Sequence, residues 1–317
     1  MNWKEIWKEG VRRSLSSKER KDTEYFIVNN NHPERKLGNT DIFDEEWVSC
    51  VKQALMSPSP SVAFEFWREQ GWLKFSIPEI DSFWGRIQPE QYHPEIDVGI
   101  HAMMVIDRSA HYNLNIESRL ACLFHDLGKS LTPLGEEKHH SHERNGVPLI
   151  ERYIKGWKLN ENESDVILTV GLYHGDVHGF ENRNSVGAFD LIKNMKLINS
   201  NNERNLNVLK SIVCDDQGRK NMFNSEPRGV FLLSKCISTL RKVNASLDEE
   251  GLKELKLKEQ KGIEYGSIPY SEEKKERLLV EVKNKLILRE ISNVFKDYKS
   301  ENDINNSKER LRLRLKP

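Results

Sequence analysis

The chain has 317 residues, 49 Lys+Arg balanced by 49 Asp+Glu, and 37% aliphatic and aromatic residues, enough for one large or two small domains. Its zero net charge carries no signature of a nucleic-acid partner, so any such contact must come from local patches. The four cysteines are far apart with no Cys-x-x-Cys pair, which excludes zinc-ribbon and thioredoxin readings, and no apolar run approaches the roughly 18 residues of a membrane-spanning helix.

Residues 1–44 form an N-terminal extension without a motif. They are polar and irregular, apart from an apolar stripe of Trp3, Ile6 and Trp7 at i, i+3 and i+4. The start, Met1-Asn2-Trp3-Lys4-Glu5, has no apolar signal region, so the cytoplasm is expected by default. His32 falls in a loop over 29–33 and reads as a surface residue.

Residues 45–98 read as a helical, neck-like segment. One helix covers 45–56 and is broken by Ser57-Pro58-Ser59-Pro60-Ser61. A second covers 62–70, with Val62, Phe64, Phe66 and Trp67 apolar, and Gly71 closes it. Residues 78–81 and 92–97 read as loops, and Pro94 biases His93 away from the helical region.

Residues 99–220 hold the chemistry. His101 opens an amphipathic helix with Met104, Val105 and Ile106 toward the core and Asp107 and Arg108 outward. Residues 120–124 are apolar and run into His125-Asp126-Leu127-Gly128-Lys129. Apolar residues lie all round this segment, so as a helix it is buried, and Gly128 is a natural C-terminal stop. A His-Asp pair buried at a helix end is costly without a partner. A divalent metal removes that cost, because imidazole and carboxylate are both good ligands.

The run His139-His140-Ser141-His142 is a polar loop entering a helix over 146–153, and at least one of its three histidines, though not all three, is expected to face the metal. A turn and cap at 160–164 precede a helix over 166–173, which ends at His174-Gly175. His178 is either a second ligand or a loop residue. Helices follow over 187–193 and 206–213, the second ending in Cys214-Asp215, whose carboxylate supplies a last ligand. Arg219 and Lys220 either neutralise phosphate charge or make surface salt bridges.

Residues 221–300 form a charged helical region, with amphipathic stretches at 230–240 and 280–295 and a Lys-rich solvated face at 253–261. Residues 301–317 are a basic tail. Its alternation of basic and apolar residues over 310–316 suits an added strand or a phosphate contact, in a terminus expected to fray.

Nine of the ten histidines fall between His93 and His178. The order His101, His125-Asp126, a His-rich run, His174 and Asp215 resembles that of the HD phosphohydrolase superfamily. The resemblance implies an all-α fold, an HD-domain helical bundle with flanking helical segments, converging on one or two metals.

Two further signatures narrow it. One is Pro60-Ser61-Val62-x-Phe64, Gly71-x-Leu73 and Pro78-Glu79-Ile80-Asp81. The other is His93-Pro94-Glu95-Ile96-Asp97-x-Gly99-Ile100-His101, followed by His125-Asp126-Leu127-Gly128-Lys129, Leu131-Thr132-Pro133 and His139-His140-x-His142. Over about residues 45–220 these resemble the C-terminal HD half of bacterial tRNA nucleotidyltransferases of the multifunctional CCA-adding type. The resemblance implies metal-dependent 2′,3′-cyclic phosphodiesterase, 2′-nucleotidase and phosphatase activities in tRNA or RNA end processing or repair.

There are two departures. Residues 1–60 contain no Gly-rich strand turn leading to Arg-Asp and a carboxylate pair, so nucleotide addition by this chain alone is not expected. The family usually has His-Asp where this chain has His174-Gly175, with Asp176 one step later. The second departure touches an outer carboxylate and leaves the histidine in place.

On this reading His101, His125, Asp126 and Asp215 hold a divalent metal: manganese, nickel, magnesium, cobalt or iron. Lys129 stabilises charge on phosphoryl oxygens. His140 or His174 protonates the leaving oxygen or binds a second metal. The substrate is an RNA 3′ end or a nucleotide, with tRNA a candidate partner and no membrane involved. Two other classes compete: an HD hydrolase of a nucleoside triphosphate or signalling nucleotide, and a non-catalytic RNA-binding or partner module. The full spaced set of ligands speaks against the module.

Overall fold

A computed structural model describes residues 2–29, 41–198, 200–264 and 270–314. His32 and the rest of the loop over 30–33 lie outside the described residues, as do 315–317 at the end of the tail. Every regular element among the described residues is a helix, as spacings of three and four along the chain require. None of these helices is long and apolar enough to cross a membrane.

Helix α1 (Trp3–Ser16) starts from a reciprocal cap: Asn2 Oδ1 accepts from Glu5 N, and Glu5 Oε2 accepts from Asn2 N, which satisfies two otherwise orphaned amides. α2 (Glu45–Leu55) is capped by Asp44, and α3 (Pro60–Glu69) has Pro60 at its first position. α4 (Leu73–Ser76) and α5 (Pro78–Asp81) are single turns. Residues 78–81, read as a loop from sequence, are helical because proline's fixed φ suits a first helical position.

The remaining helices are α6 (Val98–His111), α7 (Ile116–Phe124), α8 (His142–Gly156), α9 (Glu161–His178), α10 (Ser185–Asn194), α11 (Asn202–Gln217), α12 (Arg228–Glu264) and α13 (Glu272–Arg314). A short 3-10 turn, Leu127–Leu131, lies between α7 and α8.

The chain divides into two compact units. The first comprises Met1–Gly175 and Asn201–Pro227, the second Asp176–Ser200 and Arg228–Pro317. In the second unit, α13 packs against α12 and α10, with Val282 and Leu286 buried and Ile287 packed on them. The helix α13 continues to Arg314, so the alternating stretch is helical as far as it is described.

The first unit is seeded by indoles. Trp7 lies 5.7 Å from Trp47 and 5.1 Å from Trp72, and Trp47 lies 4.6 Å from Trp67. Trp67 also donates to the carbonyls of Ile6 and Trp7. Side chains of this size carry a large apolar area, so α1, α2 and α3 pack on a common core before the histidine-bearing helices begin.

Within this unit α6 is buried almost all round. Asp107 and Arg108, expected to face outward, are 7% and 6% exposed. Asp107 accepts from Ser61 N at 2.8 Å, Ser61 Oγ at 2.6 Å and Tyr25 Oη at 2.9 Å, so it serves the open amide end of α3. The Arg108 guanidinium lies 3.5 Å over the Phe223 ring, a cation–π contact that accounts for its burial. His101 lies in the first turn of α6, not at its first position.

Candidate metal centre

The side chains that come together here belong to the first unit. α6 carries His101, the end of α7 carries His125 and Asp126, the first position of α8 carries His142, and α9 and α11 carry His174 and Asp215. Gly128 sets the approach of α8. A methyl there would overlap the carbonyl oxygen of His142 and lie 2.7 Å from Gly146 N. Among the described glycines positive φ falls at Gly71, Gly85 and Gly135, and not at Gly128. Gly128 is therefore required for backbone proximity, not as a left-handed helix stop.

Two carboxylates organise the imidazoles. Around Asp126 Oδ2 and Asp215, His101 Nε2 lies 3.0 Å from Asp215 Oδ1 and 3.8 Å from Asp126 Oδ2. His125 Nε2 lies 3.2 Å from Asp126 Oδ2 and 3.6 Å from Asp215 Oδ1. On the other side, His142 Nε2 and His174 Nε2 lie 3.1 and 3.4 Å from Asp126 Oδ1 and 3.3 Å from each other. Asp126 is thus shared between two groups of donors, His101–His125–Asp126 and Asp126–His142–His174.

The outer nitrogens decide what the inner ones present. His125 Nδ1 meets Cys122 O at 2.9 Å, His142 Nδ1 meets His139 O at 2.8 Å, and His174 Nδ1 meets Val170 O at 3.1 Å. A carbonyl oxygen only accepts, so each Nδ1 carries the proton and each Nε2 turns a lone pair inward. Inward lone pairs on imidazoles and carboxylates repel one another unless a cation lies among them. Neither Asp126 oxygen accepts an aligned hydrogen bond, and His125 Nε2 is likewise buried without one. The residues therefore fit a divalent metal, by the chemistry of the donor set and by these buried polar atoms.

The carboxylates and imidazoles hold one another charged. Burial alone would raise the Asp126 carboxyl, but the charges of His125 and Lys129 outweigh it and hold it well below the usual carboxylate range. Burial would depress the His101 imidazole, but hydrogen bonds with Asp215 and Glu95 outweigh it and raise it to about 9. Lys129 Nζ lies 2.7 Å from Asp126 Oδ2 and donates to Gln88 Oε1 at 3.0 Å.

Of the side chains named from sequence, His101, His125, Asp126, Asp215, Lys129 and His174 converge here. His140 is exposed and is not among the side chains drawn together. The member of the His-rich run that reaches Asp126 is His142. His139 turns aside, its Nε2 3.0 Å from Ile87 O. His178 belongs to the second unit. Arg219 lies 3.5 Å from Asp216, an i,i+3 pair.

Sequence reasoning also passed over Gln88 and Glu95, although Glu95 sits inside the quoted His-Pro-Glu-Ile-Asp string. The room beside Gly175 is filled. A Cβ on Gly175 would strike the carboxylate of Glu143, whose Oε2 lies 3.5 Å from His142 Nδ1. A carboxylate does stand at this edge of the site, and it comes from α8.

Comparison with known proteins places this geometry. Residues 98–214 match the HD domain family, and Asp215 follows directly. The multifunctional CCA protein of Herminiimonas arsenicoxydans is 32% identical over 196 residues, 61% of this chain and 47% of that protein. That of Janthinobacterium sp. (strain Marseille) is 36% identical over 170 residues, 53% and 41% of the two chains. That of Dechloromonas aromatica is 32% identical over 205 residues, 64% and 49%. The chain spans about half the length of the curated relatives it matches. No solved structure matches it. The chain therefore carries an all-α HD domain over residues 98–214 and is similar to the multifunctional CCA proteins over the region containing it.

Proposed function

We propose that this chain is a metal-dependent phosphohydrolase acting on 2′,3′-cyclic phosphate or phosphomonoester ends of RNA or nucleotides, in tRNA or RNA end processing or repair. The observation that carries it is the convergence of four histidine Nε2 atoms, those of His101, His125, His142 and His174, on Asp126 and Asp215. The phosphate-end substrate rests on the likeness to multifunctional CCA proteins.

His101, His125, Asp126 and Asp215 hold the metal, and nitrogen and oxygen donors suit manganese, nickel, magnesium, cobalt or iron. When bound, such an ion supplies charge to phosphoryl oxygens and a more acidic water. Lys129, fixed by Gln88 and Asp126, adds a cation for the same phosphoryl charge. His174 either takes up a proton on Nε2 and passes it to the leaving oxygen or, unprotonated there, receives a second metal with His142 and Asp126. His140 stands outside the cluster, and His142 takes the place that the sequence offered to it.

The test is a metal-stripped protein reloaded with Mn2+, Co2+, Ni2+ or Mg2+ and assayed on 2′,3′-cyclic AMP, phosphomonoesters and nucleoside triphosphates. Asp126→Ala should lose bound metal and turnover together, since it removes a ligand and the charge that balances the dication. His111→Ala should keep both. Its imidazole pairs with Glu19 at 2.7 Å, ten residues from His101 and so about 15 Å along α6. A folded Asp126→Ala protein with full metal content and turnover would overturn the metal centre. Preference for a triphosphate over the cyclic phosphate would favour the nucleotide-hydrolase reading.

A further inference from the structure

We infer that Glu95 is a positioning residue for this centre: its carboxylate fixes the His101 ring with the proton on Nδ1 and the lone pair on Nε2. The inference rests on the metal reading proposed above. Backbone carbonyls orient His125, His142 and His174. His142 has Glu143 Oε2 3.5 Å from its outer nitrogen, but His101 has the nearer and more deeply buried carboxylate, with Glu95 Oε1 3.1 Å from Nδ1, close though off the line of a hydrogen bond.

The carboxylate is itself held from several sides. His93 Nδ1 lies 3.1 Å from the same oxygen, and Gln88 Nε2 donates to it at 3.3 Å. Lys220 N donates to the other oxygen at 3.1 Å. Every polar neighbour is placed to donate, so the group serves as an ionised acceptor. The Glu95 side chain is 1% exposed and that of His101 0%, so water does not compete for the contact.

The backbone is shaped to deliver it. Gln88 N donates to Ile96 O at 2.8 Å and Val98 N to Arg86 O at 3.0 Å, closing the segment between them into a loop against α6. Ile96 has φ 64°, a left-handed conformation that a β-branched residue rarely adopts. That strain sits beside Glu95, where a relaxed turn would aim the side chain elsewhere. The loop also precedes the residues that match the HD domain family.

An anion at the outer nitrogen makes the inner one a stronger donor than a neutral carbonyl does. His101 is then the imidazole whose affinity for metal is set by a side chain, and hence by a single substitution.

The experiment titrates Co2+ against a chromogenic chelator in the full-length protein, with melting temperatures taken alongside. Glu95→Ala should weaken Co2+ binding by about tenfold to a hundredfold. Glu95→Gln keeps the size and an acceptor oxygen but drops the charge, and should weaken it by about threefold to tenfold, a partial rescue. In the Zn2+-loaded wild type, nitrogen-15 correlations should show His101 protonated at Nδ1, and Glu95→Ala should lose that protected proton. A role confined to anchoring the loop would lower the melting temperature and leave affinity unchanged. Co2+ affinity within twofold of wild type in either folded variant overturns the inference. Glu95→Gln, nearly isosteric, decides the matter if Glu95→Ala does not fold. A wild-type protein that binds no Co2+ defeats the metal reading, and this inference with it.

Discussion

His139, His140 and His142 sit within four residues and end in three different places. His139 is half-buried against Ile87 O, His140 is exposed, and His142 faces Asp126. The reason is Ser141, whose φ of 55° turns the chain just before α8 begins. A left-handed residue that is not glycine leaves no mark in a sequence, so the spacing of the run did not choose among the three. His101, His125, Asp126, Asp215 and His174 were legible because each closes or opens an apolar helical stretch. Glu95 was not, because its partner His101 is reached through a loop whose shape depends on strain at Ile96. The environment of His139 has a consequence for pH. Burial pushes its imidazole down to about 4, whereas in an unfolded chain it titrates near 6.5. Between those values the unfolded state binds more protons, so stability falls as the pH falls through that window. Melting temperature between pH 7 and pH 5 should fall less steeply in His139→Gln than in wild type, and equal slopes would show that this proton is not taken up on unfolding.

Helix positions were largely readable. Residues 45–56 and 62–70 were expected as helices and are found as Glu45–Leu55 and Pro60–Glu69, because apolar spacing and proline breaks are local signals. The orientation of Asp107 was not readable, since its partners Tyr25 and Ser61 lie 82 and 46 residues away. Gly128 looked like a helix stop and serves a different end: α8 crosses the 3-10 turn with backbone against backbone at Gly128 and Gly146. Backbone atoms cannot rotate aside as a side chain can. Gly128→Ala should therefore cost about 1–3 kcal/mol, the usual range for overpacking, and should move His142 away from Asp126. Thermal denaturation together with metal content measures both effects. A variant with wild-type stability and affinity would mean that α8 can shift without consequence.

The all-helical class was legible across the whole chain, because periodicity repeats in nearly every segment. The grouping of segments was not. Residues 176–200 join the C-terminal helices, while 201–227 return to the unit that holds the histidines. Such interleaving is set by long-range contacts, and a reading in chain order has no access to them. The indole cluster described above has a practical side. All seven tryptophans lie in the first unit, six of them before residue 85. Tryptophan emission therefore does not originate in the second unit, whose 37- and 43-residue helices carry no indole. The emission of this protein is a built-in reporter of the unit that contains the proposed metal centre. A divalent ion at about a hundred times its Kd should stabilise that unit by about 2.7 kcal/mol if it binds only the folded form, and the tryptophan unfolding transition should move to higher denaturant by the corresponding amount. An emission midpoint indifferent to the ion would mean that His101, His125, Asp126 and Asp215 do not bind it.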